Sequence, residues 1–138
     1  ANGQPCRALA HAEALPLPPE SVDVVVFALA LGHLTTLEPT LREIGRVLRP
    51  GGCALLSDFH PFVFLSGGRR TFIGPDGLLY AVEHHPHLYA DYHRAARAAG
   101  LSIADVVEAG IDDAEAALDH PDMPVVIVLR LEKEERSG

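Results

Sequence analysis

The chain has 138 residues, 48% of them hydrophobic and 22% charged, with a formal net charge of −8. That balance suits one globular domain with its own core and excludes a disordered segment. An acidic chain with a single lysine, Lys133, is a poor partner for nucleic acid or an anionic membrane, since both need a basic face. No apolar run is long enough to span a bilayer, and the N-terminus shows no signal-peptide pattern. Cys6 and Cys53 stand alone, which fits reduced thiols in a cytoplasmic protein better than a disulfide framework or a zinc site. Arginine far outnumbers lysine and alanine is abundant, a composition common in GC-rich bacterial genomes. The first residue is Ala1 and the one methionine is Met123, so a processed chain or a fragment is expected.

In chain order, residues 1–5 are polar and turn-like, and Cys6 to Ala10 is expected as a short strand. A proline-punctuated loop, His11 to Glu20, leads into the segment that organises the chain. Val22 to Leu31 is almost unbroken apolar, interrupted by Asp23, and predicts a strand covered on both faces, as in a parallel sheet. Gly32-His33-Leu34 ends it. Thr35 and Thr36 are N-cap candidates, Thr35 with Glu38 fits a capping box, and Pro39 falls in a first helical turn. Leu37, Leu41, Ile44 and Leu48 recur at helical spacing with Val47 beside them, so one stripe faces a sheet. Pro50-Gly51-Gly52 is expected to stop the helix, and Cys53 to Ser57 to form a second strand. Strand, crossover helix and parallel strand make a right-handed βαβ unit.

Asp58-Phe59-His60 follows at the carboxyl end of the second strand, where ligands sit in open α/β sheets. Phe62 to Tyr80 carries the turn signals Gly67-Gly68 and Pro75-Asp76-Gly77 and reads as a hairpin or lid, so the lid or insertion is placed at 62–87, ending in a histidine-rich stretch. Leu88 to Ala99 is helical, with Tyr92, Ala95 and Ala96 on one face and Gly100 just past its end. Leu101 to Ala109, a strand with charged interruptions, suits an edge. A helical turn is expected at Asp113 to Leu118 within an acidic run from Asp112 to Asp122, then a strong strand at Val125 to Leu131 and a frayed tail at 132–138. No internal repeat and no second domain are visible.

Several blocks carry a family resemblance. Glu13-Ala14-Leu15-Pro16-Leu17-Pro18, followed by Ser21-Val22-Asp23-Val24-Val25, is similar to a pattern of the class I S-adenosylmethionine-dependent methyltransferases of the small-molecule type. Leu41-Arg42-Glu43-Ile44 and Arg46-Val47-Leu48-Arg49-Pro50-Gly51-Gly52 resemble the end of that family's helix between strands 4 and 5. Tyr92 and Ala98-Ala99-Gly100-Leu101 resemble its helix before strand 6. The resemblance implies an α/β, Rossmann-like, mostly parallel sheet with flanking helices and the strand order 3-2-1-4-5-7-6. This chain then supplies strand 3 (Cys6 to Ala10), strand 4 (Val22 to Leu31), strand 5 (Cys53 to Ser57), strand 6 (Leu101 to Ala109) and strand 7 (Val125 to Leu131). Strands 1 and 2, the glycine-rich loop and the acidic residue that grips the ribose have no counterpart. The chain is thus expected as a single partial domain, the later half of the family's fold.

The resemblance implies S-adenosylmethionine as cofactor and a small molecule as methyl acceptor, with turnover by this chain alone not expected. The rival readings are a non-catalytic dimerising module and a fragment of a longer enzyme. The cofactor-binding positions carried over are His11 and Ala12 on the adenine side and Ala28 and Leu29 beside the methionine part. His11 departs from the family, which has an aspartate there; a neutral ring nitrogen would still accept a hydrogen bond. Asp58 and His60 stand where a general base for O- or N-methylation would, or else are a turn-capping Asp and a solvated His. His84, His85, His87 and His93 cluster in sequence, but their spacing matches no zinc pattern, and no metal site is assigned. Without strands 1 and 2, the strand at Val22–Leu31 becomes an apolar edge. It is expected to be covered by Cys6 to Ala10 or by a second copy in a homodimer.

Overall fold

The computed structural model describes residues 3, 5–110 and 122–137. The helical turn expected at Asp113 to Leu118, and the acidic run before Asp122, lie outside the described residues. The elements are β1 (Val22–Ala28), α1 (Glu38–Val47), β2 (Leu48–Phe59), α2 (Pro61–Leu65), β3 (Thr71–Ile73), β4 (Leu79–Ala81), α3 (Tyr89–Ala98), β5 (Leu101–Ala109) and β6 (Val126–Lys133). A 3₁₀ turn at Leu31–His33 links β1 to α1.

The main sheet has the order β1-β2-β6-β5. β1 pairs with β2 in parallel, while β6 runs antiparallel to both β2 and β5. Three strands therefore point one way and β6 runs against them. In the family's numbering this is the order 4-5-7-6. β5 is an edge, as its charged interruptions predict, and β6 reaches Lys133, two residues into the stretch expected to fray.

The βαβ unit forms with three changes to its expected boundaries. β1 ends at Ala28, because Leu29 adopts a left-handed φ of 53° and turns the chain. α1 has Leu37 at its N-cap with no side-chain cap, so neither Thr35 nor Thr36 caps it and the expected capping box does not form. α1 stops at Val47, and Pro50-Gly51-Gly52 lies inside β2 rather than ending the helix. Opposite Asp23, the β1–β2 register slips between Val22 and Val24. Gly51 sits at φ 80° there, and a Cβ on Gly52 would meet the Asp23 carbonyl oxygen at 2.8 Å. The glycine pair thus serves an irregular strand, where a left-handed residue and a bare backbone are both required.

α1 and α3 lie on the same face of the sheet. Leu41, Ile44, Tyr92 and Ala96 bury against Ala54, Leu56, Leu129 and Leu131. Gly45 allows the helices to meet closely, since a Cβ there would collide with the Ala99 carbonyl. Lys133, the one lysine, reaches from β6 to the end of α1, and its Nζ donates to the Gly45 and Leu48 carbonyls, both at 2.8 Å. A cation at a helix C-terminus satisfies carbonyls that have no helical partner and complements the helix dipole.

The opposite face corrects two expectations. The apolar run of β1 is not covered on both sides: Val24 and Val26 are 54% and 67% exposed, and Leu55 and Val107 share that bare face. Cys6 to Ala10 forms no strand and does not pair with β1, and Leu9 is fully exposed. Alternation in burial was masked in the sequence because both faces of β1 are apolar. The outer edge of β1 has no neighbour among the described residues. The excursion after β2 is the short helix α2 and a separate hairpin in which Phe72 pairs with Tyr80. No helix among the described residues is long and apolar enough to cross a membrane.

Replacing Lys133 with Met keeps the aliphatic stem and removes both bonds to the end of α1. The expected cost is about 1–3 kcal/mol, from charge-assisted hydrogen bonds whose acceptors lose their partner, read as a lower urea midpoint with unchanged slope.

Candidate functional site

The carboxyl ends of β1 and β2 meet beneath the 3₁₀ turn and the base of the β3–β4 hairpin. Leu29 N–H donates to the Ser57 carbonyl at 2.8 Å, which carries the pairing of the two strands one residue past the end of β1. Leu31 and Gly32 are then buried beside Asp58, whose side chain is 1% exposed.

Asp58 faces inward. One of its oxygens accepts from the Phe59 N–H at 2.9 Å. Burial pushes its carboxyl above the usual range, opposed by the N–H groups of Phe59 and Gly32, by the nearby His87 ring and by the charge of Arg70. His87 is also buried, and its Nε2 donates to the Leu34 carbonyl at 2.8 Å, with the Leu31 carbonyl at 3.3 Å. The ring of His87 meets Tyr92 edge-on, and burial pushes the Tyr92 hydroxyl well up. Asp58 and His87 therefore hold the turn from below, with Tyr92 packed against the His87 ring.

His60 does a different job. Its Nδ1 accepts from the Phe62 N–H at 3.2 Å, capping α2, so the ring proton sits on Nε2, which lies 3.4 Å from a Glu108 oxygen. With Nδ1 occupied and the ring 4% exposed, His60 offers no free lone pair. Asp58 and His60 are close in sequence but turn to different partners.

The adenine-side residues occupy a tight turn in which Ala14 N–H donates to the His11 carbonyl at 3.0 Å. α1 staples this loop: Glu43 accepts from Leu15 N–H at 2.8 Å, and Arg46 donates to both Glu43 and the Leu15 carbonyl. The Arg46 hydrogen bond, with that of Leu15 N–H, holds the Glu43 carboxyl down at about 2. The acid and the second arginine in Arg42-Glu43-Ile44-Gly45-Arg46 thus position the loop, a role that sequence spacing does not disclose. Ala28 and Leu29 are exposed at the end of β1.

The four clustered histidines part company. His84 stacks on Phe64 at 3.6 Å and lies over Gly32 so closely that any Cβ there would strike its ring. His85 lies beside Glu83, His87 bonds to backbone carbonyls, and His93 stacks on Tyr89. No three metal-ligating side chains converge among the described residues. Three residues not singled out from sequence join the site. Gly32 lets His84 close down, His33 stands exposed on the rim, and Arg70 reaches across from the base of the hairpin. A separate open cleft of about 700 Å³ lies between the starts of α1 and α3 and carries the pairs Glu38–Arg42 and Asp91–Arg94.

Comparison with known proteins adds an independent line. Residues 2–56 match the methyltransferase domain family. A ubiquinone/menaquinone biosynthesis C-methyltransferase, UbiE, from Hahella chejuensis is 50% identical over 50 residues, which are 36% of this chain and 20% of that protein. The match thus spans about a fifth of the length of the curated relative. A crystal structure of an S-adenosylmethionine-dependent methyltransferase from Mesorhizobium loti superposes with a TM-score of 0.67 at 21% identity, covering 90% of this chain and 68% of that one. Residues 2–56 are similar in sequence to the methyltransferase domain family, and the fold is similar to that of S-adenosylmethionine-dependent methyltransferases. The [4+2]-cyclase SpnF shares the fold with a TM-score of 0.65 at 17% identity, covering 93% of this chain and 56% of its own. Fold alone therefore does not decide the reaction.

S-adenosylmethionine, which the family implies, fits these residues on one side only. The His11–Ala12 loop is stapled in place, and Ala28 and Leu29 are open at the strand end. The edge of β1 away from β2 carries no further strand among the described residues, and with it no carboxylate for the ribose and no backbone N–H cradle.

The buried site also sets a pH dependence. Burial, with the charge of Arg70 next, holds the His84 ring at about 4, below the ordinary 6.5. Between those values the unfolded chain binds the proton and the folded one does not, so stability is full above about pH 6.5 and falls as pH drops toward 4. Relative to His84→Leu, whose side chain takes up no proton, the wild-type urea midpoint should fall as pH drops from 7 to 4. Curves that stay parallel from pH 7 to 4 would count against this.

Proposed function

We propose that this chain is the later half of a methyltransferase that moves the methyl group of S-adenosylmethionine to a small-molecule nucleophile, and that it does not turn over alone. The observation that carries the reading is the end of β1 and β2. Ala28–Leu29, the 3₁₀ turn and the base of the hairpin gather at the point where open α/β sheets bind ligands, and the motif-bearing loop is held against α1. In methyl transfer the acceptor's electron pair forms the new bond to the methyl carbon as the carbon–sulfur bond breaks and its pair goes to sulfur. The work of the protein is alignment and exclusion of water, with proton removal added only when the nucleophile needs it. In this reading Asp58 and His60 shape the floor, because both are buried and already bonded. The UbiE relatives make a carbon nucleophile a reasonable acceptor type, and a cytoplasmic setting belongs to the same reading.

Titration of this chain with S-adenosylhomocysteine by calorimetry tests the cofactor side. The expected Kd is weaker than about 1 mM, less than about 4 kcal/mol of binding. Micromolar binding would mean that the pocket is rebuilt without the ribose and glycine-loop grips, and that the chain works alone.

We also infer that the free edge of β1 pairs with a second copy across a two-fold axis. Antiparallel pairing centred on Val25 sets Val24 beside Val26 of the other copy and joins the two bare apolar faces. Sedimentation velocity should show a dimer at micromolar concentration, and Val26→Lys should shift it to monomer. A wild type that stays monomeric throughout defeats the pairing.

A further inference from the structure

The chain has 19 acidic and 11 basic side chains, and most of its arginines sit against acids. Arg42, Arg46, Arg49, Arg94, Arg130 and Arg136 all do so. Arg70 does not. It is half-buried at the base of the hairpin, its guanidinium 5.1 Å from the centre of the Phe59 ring. Its bonds go to neutral acceptors and leave from one nitrogen. Nη1 lies 3.4 Å from the Leu29 carbonyl oxygen and 3.2 Å from His33 Nε2. A guanidinium carries five N–H donors in a rigid plane and keeps its charge at any working pH. Among the described residues, Nε and Nη2 have no acceptor, and no carboxylate comes within ion-pair distance. Asp58, whose carboxyl feels the charge of Arg70, is turned inward to the Phe59 and Gly32 N–H groups.

A half-buried cation without a counter-ion is costly. Among the described residues no carboxylate bonds to Arg70, although the chain has 19 acidic side chains. The edge formed by Nε and Nη2 is the one that pairs side-on with a carboxylate through two parallel bonds. The neighbourhood is aromatic: Phe59 and Phe64 meet edge-on at 6.3 Å, and His84 stacks on Phe64. The anchoring groups are the Leu29 backbone and His33, on the rim where β1 delivers its strained last turn.

We infer that Arg70 is a recognition residue for a ligand carboxylate, placed by the Leu29 carbonyl, His33 Nε2 and the face of Phe59, and that the methyl acceptor is an aromatic acid. The anion site stands on the geometry of Arg70 alone. Its assignment to an acceptor rests on the methyltransferase reading. The methionine part of the cofactor also bears a carboxylate, so the two sources share one chemistry and the test must separate them.

The test follows the backbone resonances of Leu29, His33, Phe59 and Arg70 in the full chain by NMR during titration with benzoate, benzyl alcohol and L-methionine. By ligand efficiency, benzoate is expected to bind with a Kd of about 10 mM. Benzyl alcohol, the neutral analogue, should leave those resonances unmoved. Arg70→Gln should weaken benzoate at least about tenfold, and Arg70→Lys, which keeps charge but loses the fork, should fall between. The benzoate and benzyl alcohol comparison in the wild type stands even where a variant folds poorly. Benzoate that leaves the resonances unmoved, or binds equally well after Arg70→Gln, overturns the site. L-methionine binding there more tightly than benzoate overturns the acceptor assignment and gives Arg70 to the cofactor. Failure of S-adenosylhomocysteine to bind touches neither outcome, because benzoate needs no cofactor.

Discussion

The parallel pairing of β1 with β2 is the constraint on which everything else hangs. It sets two carboxyl ends side by side, and the groups of the candidate site grow from those ends: Leu29 and the 3₁₀ turn from one strand, the buried Asp58 and His60 from the other. The pairing is held from three sides. Gly51 and Gly52 absorb the register slip at its start. α1 packs across its inner face, and Lys133 ties the end of α1 back to the sheet from β6. A parallel pair is stabilised chiefly by helices on its faces, and here one face has them and the other does not. That asymmetry leaves Val24 and Val26 bare.

Polar groups beneath the site are arranged so that the turn above them is rigid. Asp58 is buried, and the residues around it compensate with N–H groups and the facing charge of Arg70. His87 uses its remaining proton on backbone carbonyls, and His60 spends its acceptor on capping α2. Three groups able to move protons are thereby committed to structure. Buried polar groups that are mutually satisfied specify a single arrangement, and this one holds the strained turn at Leu29 open to the rim. Arg70 differs from them in keeping donors without an acceptor among the described residues.

Much of this was legible in residue order. The βαβ unit, the inward stripe of α1, the edge character of β5, the hairpin excursion and the helix at Tyr89–Ala98 ending before Gly100 all follow from periodicity and turn residues. Tyr92 reads as core from its spacing with Ala95 and Ala96, and it is buried. The failures have specific causes. Cys6 to Ala10 looks like a strand, but a strand requires a neighbour, and none adjoins it. Pro50-Gly51-Gly52 looks like a helix stop because its signals are local, whereas its function is to fit against the Asp23 carbonyl in another strand. Thr35 and Thr36 match a capping pattern, yet α1 starts later, at Glu38, with Pro39 inside its first turn.

By itself the sequence determined local structure and kinship, because helix spacing, turn residues and the Arg46-Val47-Leu48-Arg49-Pro50-Gly51-Gly52 block are properties of neighbours along the chain. Only the tertiary structure decided which polar side chains are free. Asp58 and His60 look available in the sequence and are occupied in the fold, while Arg70, unremarked in a glycine-rich excursion, keeps open donors among the described residues. Whether a hydrogen-bonding group is satisfied depends on residues far away in sequence: His33 and Leu29 for Arg70, Gly32 and His87 for Asp58. Such partners meet only once the strands have paired and the helices have closed over them.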